Sequence, residues 1–171
     1  MARFFVNDEN ICEDVITIIG DDVNHIKNVL RLKAGTEINV SDGSGIDYTA
    51  EIEEIDKNRI IARIISRADN ASESHNKVVL FQAIPKSDKM DTIIQKNVEL
   101  GIHSIIPVST ARTVVKIDSG DSGRKKSERW QRISLEAAKQ CRRGIVPVVE
   151  APVTFAEALN KCKECCDMGI I

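Results

Sequence analysis

VVLFQAI (78–84), PKSD (85–88), KMDTIIQKNVELG (89–101) and IHSIIPV (102–108) follow one another without a break, and the change of period across them decides the fold. The first block is a continuous apolar run, as a strand buried on both faces requires. Pro85 to Asp88 interrupt it. From Lys89 the apolar residues Met90, Ile93, Ile94 and Val98 recur at helical spacing to Leu100, and Gly101 is placed to end a helix. Ser104–Val108 is again a short apolar run. Strand, helix and strand in succession imply a parallel α/β sheet.

On the C-terminal side, residues 119–124 read as a loop before a long helix that Gly144 and Pro147 end. Within it Trp130, Ile133, Ala137 and Cys141 share one face, while Arg129, Arg132, Glu136, Gln140 and Arg143 share another. An ordinary solvated face is usually rich in Lys and Glu of alternating sign. This one carries Arg, Gln and one carboxylate, side chains suited to phosphate or to the edge of a base. A wet face held by internal ion pairs remains the structural alternative. A strand near Val148, a helix over about Phe155–Cys165 and a strand opening at Met168 complete the pattern.

On the N-terminal side, residues 67–76 are polar and lack apolar periodicity, which marks a domain boundary. Before them come short strand patterns at Arg3–Val6, Val15–Ile19, Glu37–Val40, Tyr48–Ile52 and Ile60–Ile65. A tight turn falls at residues 42–45. One helix, from Asp21 or Asp22 to Leu30, has Val23, Ile26, Val29 and Leu30 on its apolar side. The expected organisation is a β-rich, barrel-like module over residues 1–70 and an α/β domain over 77–171.

The 171 residues carry a net charge of −2, which hides an asymmetry. Residues 1–76 hold 8 Lys/Arg against 15 Asp/Glu, and residues 77–171 hold 16 against 11. Between Lys86 and Arg143 the basic residues number 13 against 7 acidic, a footprint that fits a polyanion in the second half. No apolar run approaches the ~18 residues of a membrane span, and the N-terminus has no signal-peptide core, so a cytoplasmic protein is expected. Of five cysteines, only Cys162 and Cys165 form a Cys-x-x-Cys, with Cys166 beside them. His25, His75 and His103 have no ligand spacing to them, and no metal is expected.

The chain has no Gly-rich dinucleotide loop, phosphate loop or nucleophile elbow. Its candidate binding residues are loop and helix-end cations. Lys86 and Lys89 lie at a strand-to-helix junction, where open α/β sheets bind ligands. Arg112 and Lys116 follow another strand. Arg142 and Arg143 lie at a helix C-terminus, where the helix dipole alone would favour them. In the first module Arg3, His25, Arg31 and Lys33 are candidates for phosphates or an unstacked base. A lone His beside an apolar stripe is also a common structural feature.

These residues carry a family resemblance. Arg3-Phe4-Phe5, the run from His25 to Arg31, Asp42-Gly43, the run from Lys89 to Gly101, Arg129-Trp130-x-x-Ile133 and Glu136-Ala137-Ala138-x-Gln140-Cys141 resemble the RsmE family of 16S ribosomal RNA (uracil-N3) methyltransferases in order and spacing. The resemblance implies an α/β plus β fold: an N-terminal PUA-like β-barrel followed by part of a SPOUT-type (α/β knot) parallel-sheet domain. It implies S-adenosylmethionine as cofactor, 16S rRNA of the small ribosomal subunit as partner, and a homodimer. With the residue reading above, it makes Arg3, His25, Arg31, Lys33, Lys86, Lys89, Arg112, Arg129, Arg132, Gln140 and Arg142 the expected RNA-binding residues and Arg143, ahead of Arg3, the expected catalytic one; the substrate role carried over from the family rests on Gln140 and Arg143. The family's Gly-Pro-Glu-Gly-Gly loop and knot are absent here, so the cofactor-binding residues are expected beyond Ile171. A catalytically silent RNA-binding protein is the alternative. Around Gly144 the family pattern departs from Arg142-Arg143-Gly144-Ile145, though Gln140 and Arg143 match it.

Overall fold

The computed structural model describes residues 3–111 and 121–170. It divides into two compact units, Met1–Glu73 with Arg142–Ile145, and Ser74–Cys141 with Val146–Ile171.

The first unit contains β1 (Arg3–Phe5), β2 (Ile11–Cys12), β3 (Val15–Ile19), the short helix α1 (Asp21–Asn24), β4 (Glu37–Ser41), β5 (Ile46–Ile55) and β6 (Arg59–Asp69). The strands form one sheet in the order β1-β4-β5-β6-β3-β2, with β1 parallel to β4 and the other pairs antiparallel. Along β5, Tyr48, Ala50 and Ile52 face inward while Asp47, Thr49 and Glu51 face outward, the alternation of a half-buried strand. Register shifts at Thr49/Ala50 and Ile52/Glu54 bend the β5–β6 pair and help the sheet curl. Phe4, Ile16, Ile18, Ile26, Ile38, Ile52 and Ile60 fill the core inside it.

Two details of this unit differ from the sequence expectation. The helix after Gly20 widens into a π-turn over His25–Val29, closed by the Leu30 N–H on the His25 carbonyl, and Arg31 then takes a left-handed φ of 53°. The extra residue in the turn moves the helical face. Val23 and Ile26 stay buried, but Val29 and Leu30 are exposed. The strand β6 also runs through the polar Arg67-Ala68-Asp69, because Ile46 and Asp47 pair with Asp69 and Ala68 there. Backbone pairing, which apolar periodicity does not report, sets that strand's end.

The second unit contains β7 (Val79–Ala83), α2 (Lys89–Glu99), β8 (Ser104–Ser109), α3 (Asp121–Cys141), β9 (Val148–Val149), β10 (Val153–Thr154) and α4 (Phe155–Cys165). β8 pairs in parallel with β7 on one side and with β9 and then β10 on the other. Met90, Ile94 and Val98 of α2 and Trp130, Ala137 and Ala138 of α3 are buried, together with Ile105, Ile106 and Val108 of β8. Gly101, at φ 91°, ends α2 as its position suggests. Thr154 and Glu157 form a reciprocal capping box at the start of α4.

The expected loop at residues 119–124 is already helical from Asp121, and no strand forms at Met168. The buried stripe of α3 also includes a polar residue, Ser134, whose hydroxyl donates to the Pro147 carbonyl at 2.7 Å. Gln131 accepts from the Val149 N–H at 2.8 Å, so α3 fixes the start of the β9 strand by side chain. The fold is thus the expected one: a curled β module and a parallel α/β sheet.

Candidate nucleic-acid interface

The face that the sequence marks as one stripe is divided in the structure. α3 ends at Cys141, and Arg142 adopts a left-handed φ of 61°, uncommon for a residue with a side chain. Arg142 is exposed, while Arg143 turns off the helix and is buried in the first unit. Its Nη2 donates to Glu73 Oε2 at 2.6 Å and its Nε to Oε1 at 3.3 Å. Glu73 Oε1 also accepts the backbone N–H groups of Gly144 at 2.8 Å and Ile145 at 3.0 Å. Burial alone would raise the Glu73 pKa. The hydrogen bond from Arg143, the Ile145 N–H, the Arg143 charge and the Gly144 N–H outweigh it and hold the carboxyl below its ordinary value.

The same short segment is held from its other side. The fully buried Ser41 hydroxyl donates to the Gly144 carbonyl at 2.9 Å, and Ser44 forms an antiparallel bridge with Ile145. A Cβ on Gly144 would lie 2.5 Å from Asn70 Cβ, so glycine is required by the closeness of its neighbour. Asn70 is itself fixed, donating to Asp47 Oδ2 at 2.7 Å and accepting from the Ser72 N–H at 2.9 Å. Asp47 also pairs with Arg3, whose guanidinium lies 5.9 Å from the Phe5 ring centroid and whose Nε is buried without a partner.

In the second unit, α2 and α3 border an open groove of about 470 Å³ lined by Gln95, Arg132, Ile133, Glu136, Ala137 and Gln140. Ile133 and Ala137 give it an apolar floor, and the other four give it hydrogen-bonding walls. Among the described residues, the side chains of Arg132 and Gln140 make no hydrogen bond or ion pair within the protein. Arg129, one turn earlier, is committed to Asp91 and Asp88. Glu136 has Lys139 Nζ at 3.9 Å, a loose contact for a carboxylate that is 67% exposed.

The other expected binding residues are dispersed. His25 is exposed with its ring edge-on to Phe4 at 6.2 Å, and Arg31 and Lys33 are exposed on the first unit. Lys86 and Lys89 are exposed between β7 and the first turn of α2. Arg112 and Lys116 lie outside the described residues. Sequence reading did not single out Glu73, Ser41 or Asn70, whose roles come from contacts with a segment roughly seventy or more positions away. Glu136 stood in the polar stripe already marked on α3, whereas Gln95 of α2 was not singled out from the sequence.

The groove is open and by itself offers no enclosed slot for S-adenosylmethionine. Among the described residues no three potential metal ligands come together, and no helix is long and apolar enough to cross a membrane.

Comparison with known proteins gives concordant matches. Residues 72–171 match the family described as RNA methyltransferase domain, and residues 18–65 match the RNA methyltransferase PUA domain. A ribosomal RNA small subunit methyltransferase E of Bacillus subtilis (strain 168) is 35% identical over 96% of this chain and 65% of its own length. The protein of the same name from Synechocystis is 33% identical, over 93% of this chain and 50% of its own length. A crystal structure of ribosomal RNA small subunit methyltransferase E from Neisseria gonorrhoeae bound to S-adenosylmethionine superposes with a TM-score of 0.84 at 34% identity. That match covers 94% of this chain and 66% of the other. The chain therefore spans between half and two thirds of the length of these relatives.

Proposed function

The chain belongs to the RsmE family of RNA methyltransferases, and we propose on that footing that it acts in S-adenosylmethionine-dependent methylation of small-subunit ribosomal RNA, at N3 of a uridine in 16S rRNA. The observation that supports the reading is a groove on the RNA methyltransferase domain in which the side chains of Arg132 and Gln140 have no hydrogen-bond or ion-pair partner among the described residues. The homodimer, the small subunit as partner and the cytoplasm belong to the same proposal and rest on the family resemblance.

Uridine N3 carries a proton at neutral pH and is a poor nucleophile until it leaves. The cofactor, when bound, supplies an electrophilic methyl group. The target base must leave its stack to expose N3, and unstacking costs a few kcal/mol. An apolar floor such as Ile133 and Ala137 offers the ring a face to rest on. As N3 loses its proton, negative charge spreads onto the uracil oxygens, and a fixed guanidinium beside one of them stabilises it. Arg132 suits that role because no carboxylate of the described residues engages it. Arg143 enters as a positioning residue: its fork grips Glu73, whose Oε1 accepts the backbone N–H groups of Gly144 and Ile145.

The test is transfer of a labelled methyl group from S-adenosylmethionine to small subunits by the protein as its native gene encodes it. Reverse transcription reads the product, since a methyl on N3 blocks base pairing. Label in 16S rRNA with a stop at one uridine is expected. RNA binding without label would replace this reading with that of a silent RNA-binding protein, and label at another atom would remove the N3 assignment. Arg143→Lys keeps the charge and gives up the fork, and is expected to lower methylation with the fold intact.

A further inference from the structure

We propose that Arg132, Glu136 and Gln140 form a donor–acceptor–donor row that reads the edge of uracil, with Glu136 as the group that takes the N3 proton. This deepens the methylation reading above and rests on it. The three residues stand at i, i+4 and i+8 on α3, on one helix face, with successive positions about 6 Å apart along the axis. All three line the same groove, over the apolar floor of Ile133 and Ala137 and beside Gln95 of α2.

The order of chemistry along the row matches one base. Uracil presents O2, N3–H and O4 on its pairing edge: acceptor, donor, acceptor. The complement is donor, acceptor, donor, which Arg132, Glu136 and Gln140 supply in sequence. Cytosine presents an unprotonated N3 and an amino group, so the Glu136 carboxylate would face a lone pair. Of the other side chains at this end of α3, Arg129 is tied to Asp91 and Asp88 and Arg143 to Glu73, whereas those of Arg132 and Gln140 are unengaged among the described residues.

In the proton step the N3–H bond breaks and an O–H bond forms on the Glu136 carboxylate. The electron pair stays on uracil, shared between N3 and the two oxygens, one of them beside the Arg132 cation. A carboxylate is a weaker base than the uracil anion, so that cation is what brings the transfer within reach.

Two measurements on the protein as its native gene encodes it test this. In fluorescence anisotropy, wild type is expected to bind decauridylate about tenfold more tightly than decacytidylate, the size of one well-formed edge contact. Glu136→Gln is expected to narrow that ratio to about threefold or less, and Arg132→Ala to weaken both RNAs. In methyl transfer to small subunits, Glu136→Gln is expected to lower kcat by about 10²–10⁴ with KM little changed, and Glu136→Asp to regain part of it. An unchanged uridine-to-cytidine ratio, or near-normal kcat in Glu136→Gln beside an active wild type, overturns the proposal. A wild type that methylates no RNA overturns the methylation reading instead, and the binding ratio still decides whether the row reads uracil.

Discussion

Gly144→Ala should destabilise the first unit by about 2–4 kcal/mol, and the figure follows from one contact. The added methyl would sit 2.5 Å from Asn70 Cβ and 2.7 Å from its Cγ. Carbon atoms rest at about 3.5–4.0 Å, so the overlap is about 1 Å at each. Forcing a methyl into a packed site costs about 1–3 kcal/mol. Asn70 has little room to retreat, because its side chain bonds Asp47 and Ser72 and its backbone N–H bonds the Gly45 carbonyl at 2.7 Å. A retreat loses one or two of these bonds at about 0.5–1.5 kcal/mol each. Urea unfolding of wild type, Gly144→Ala and the control Gly169→Ala reads the effect. A Cβ on Gly169 meets only the Cys162 Sγ at an ordinary 3.6 Å, so that variant should stay within about 0.5 kcal/mol of wild type apart from backbone entropy. Asn70→Gly, which removes the obstructing Cβ, should cost less in the Gly144→Ala background than alone. A Gly144→Ala protein as stable as wild type, or strict additivity with Asn70→Gly, would refute the reasoning.

Three further outcomes are expected. Glu73→Gln removes the carboxylate that the buried Arg143 grips and should cost about 3–5 kcal/mol, read as a lowered urea midpoint. The Glu73 carboxyl is held below its ordinary value, so its contribution is full above the unfolded pKa, about 4.3, and is lost as pH falls through the lower folded value. The stability gap between wild type and Glu73→Gln should therefore be widest near neutrality and shrink in acid; a gap that is flat with pH would sink the linkage. Arg132→Ala should weaken binding to single-stranded RNA by about 1–3 kcal/mol, the worth of one base-edge contact, while urea unfolding stays near wild type.

Where local pattern governs, the fold could be read from the sequence. Met90, Ile94 and Val98 predict α2 and its buried face, and alternation from Tyr48 to Ile52 predicts β5. Where a distant segment or a backbone irregularity governs, it could not. Val29 and Leu30 keep helical spacing, yet a π-turn rotates them into water. α3 stops at Cys141 although Gly144 looks like its natural stop, because Arg142 takes the left-handed conformation in place of a glycine. The polar stripe showed which residue types gather on α3. It did not show that Arg129 and Arg143 are spent on internal carboxylates while Arg132 and Gln140 are not.

The hold of Glu73 and Ser41 on residues 142–145 sets an order of events for a chain growing from its N-terminus. The strands of the first unit pair within 69 residues, yet Arg143 lies 70 positions beyond Glu73, and Gly144 lies 103 beyond Ser41. The first unit can thus form its sheet early but stays unfinished until those distant residues have been synthesised. Closing so long a loop has a modest entropic cost that grows only with the logarithm of its length. Its effect on rate is larger, since contacts of high sequence separation slow folding. Release of the nascent chain before Ile145 would leave Glu73 a half-buried carboxylate without its cation, a state open to rescue only by later residues of the same molecule.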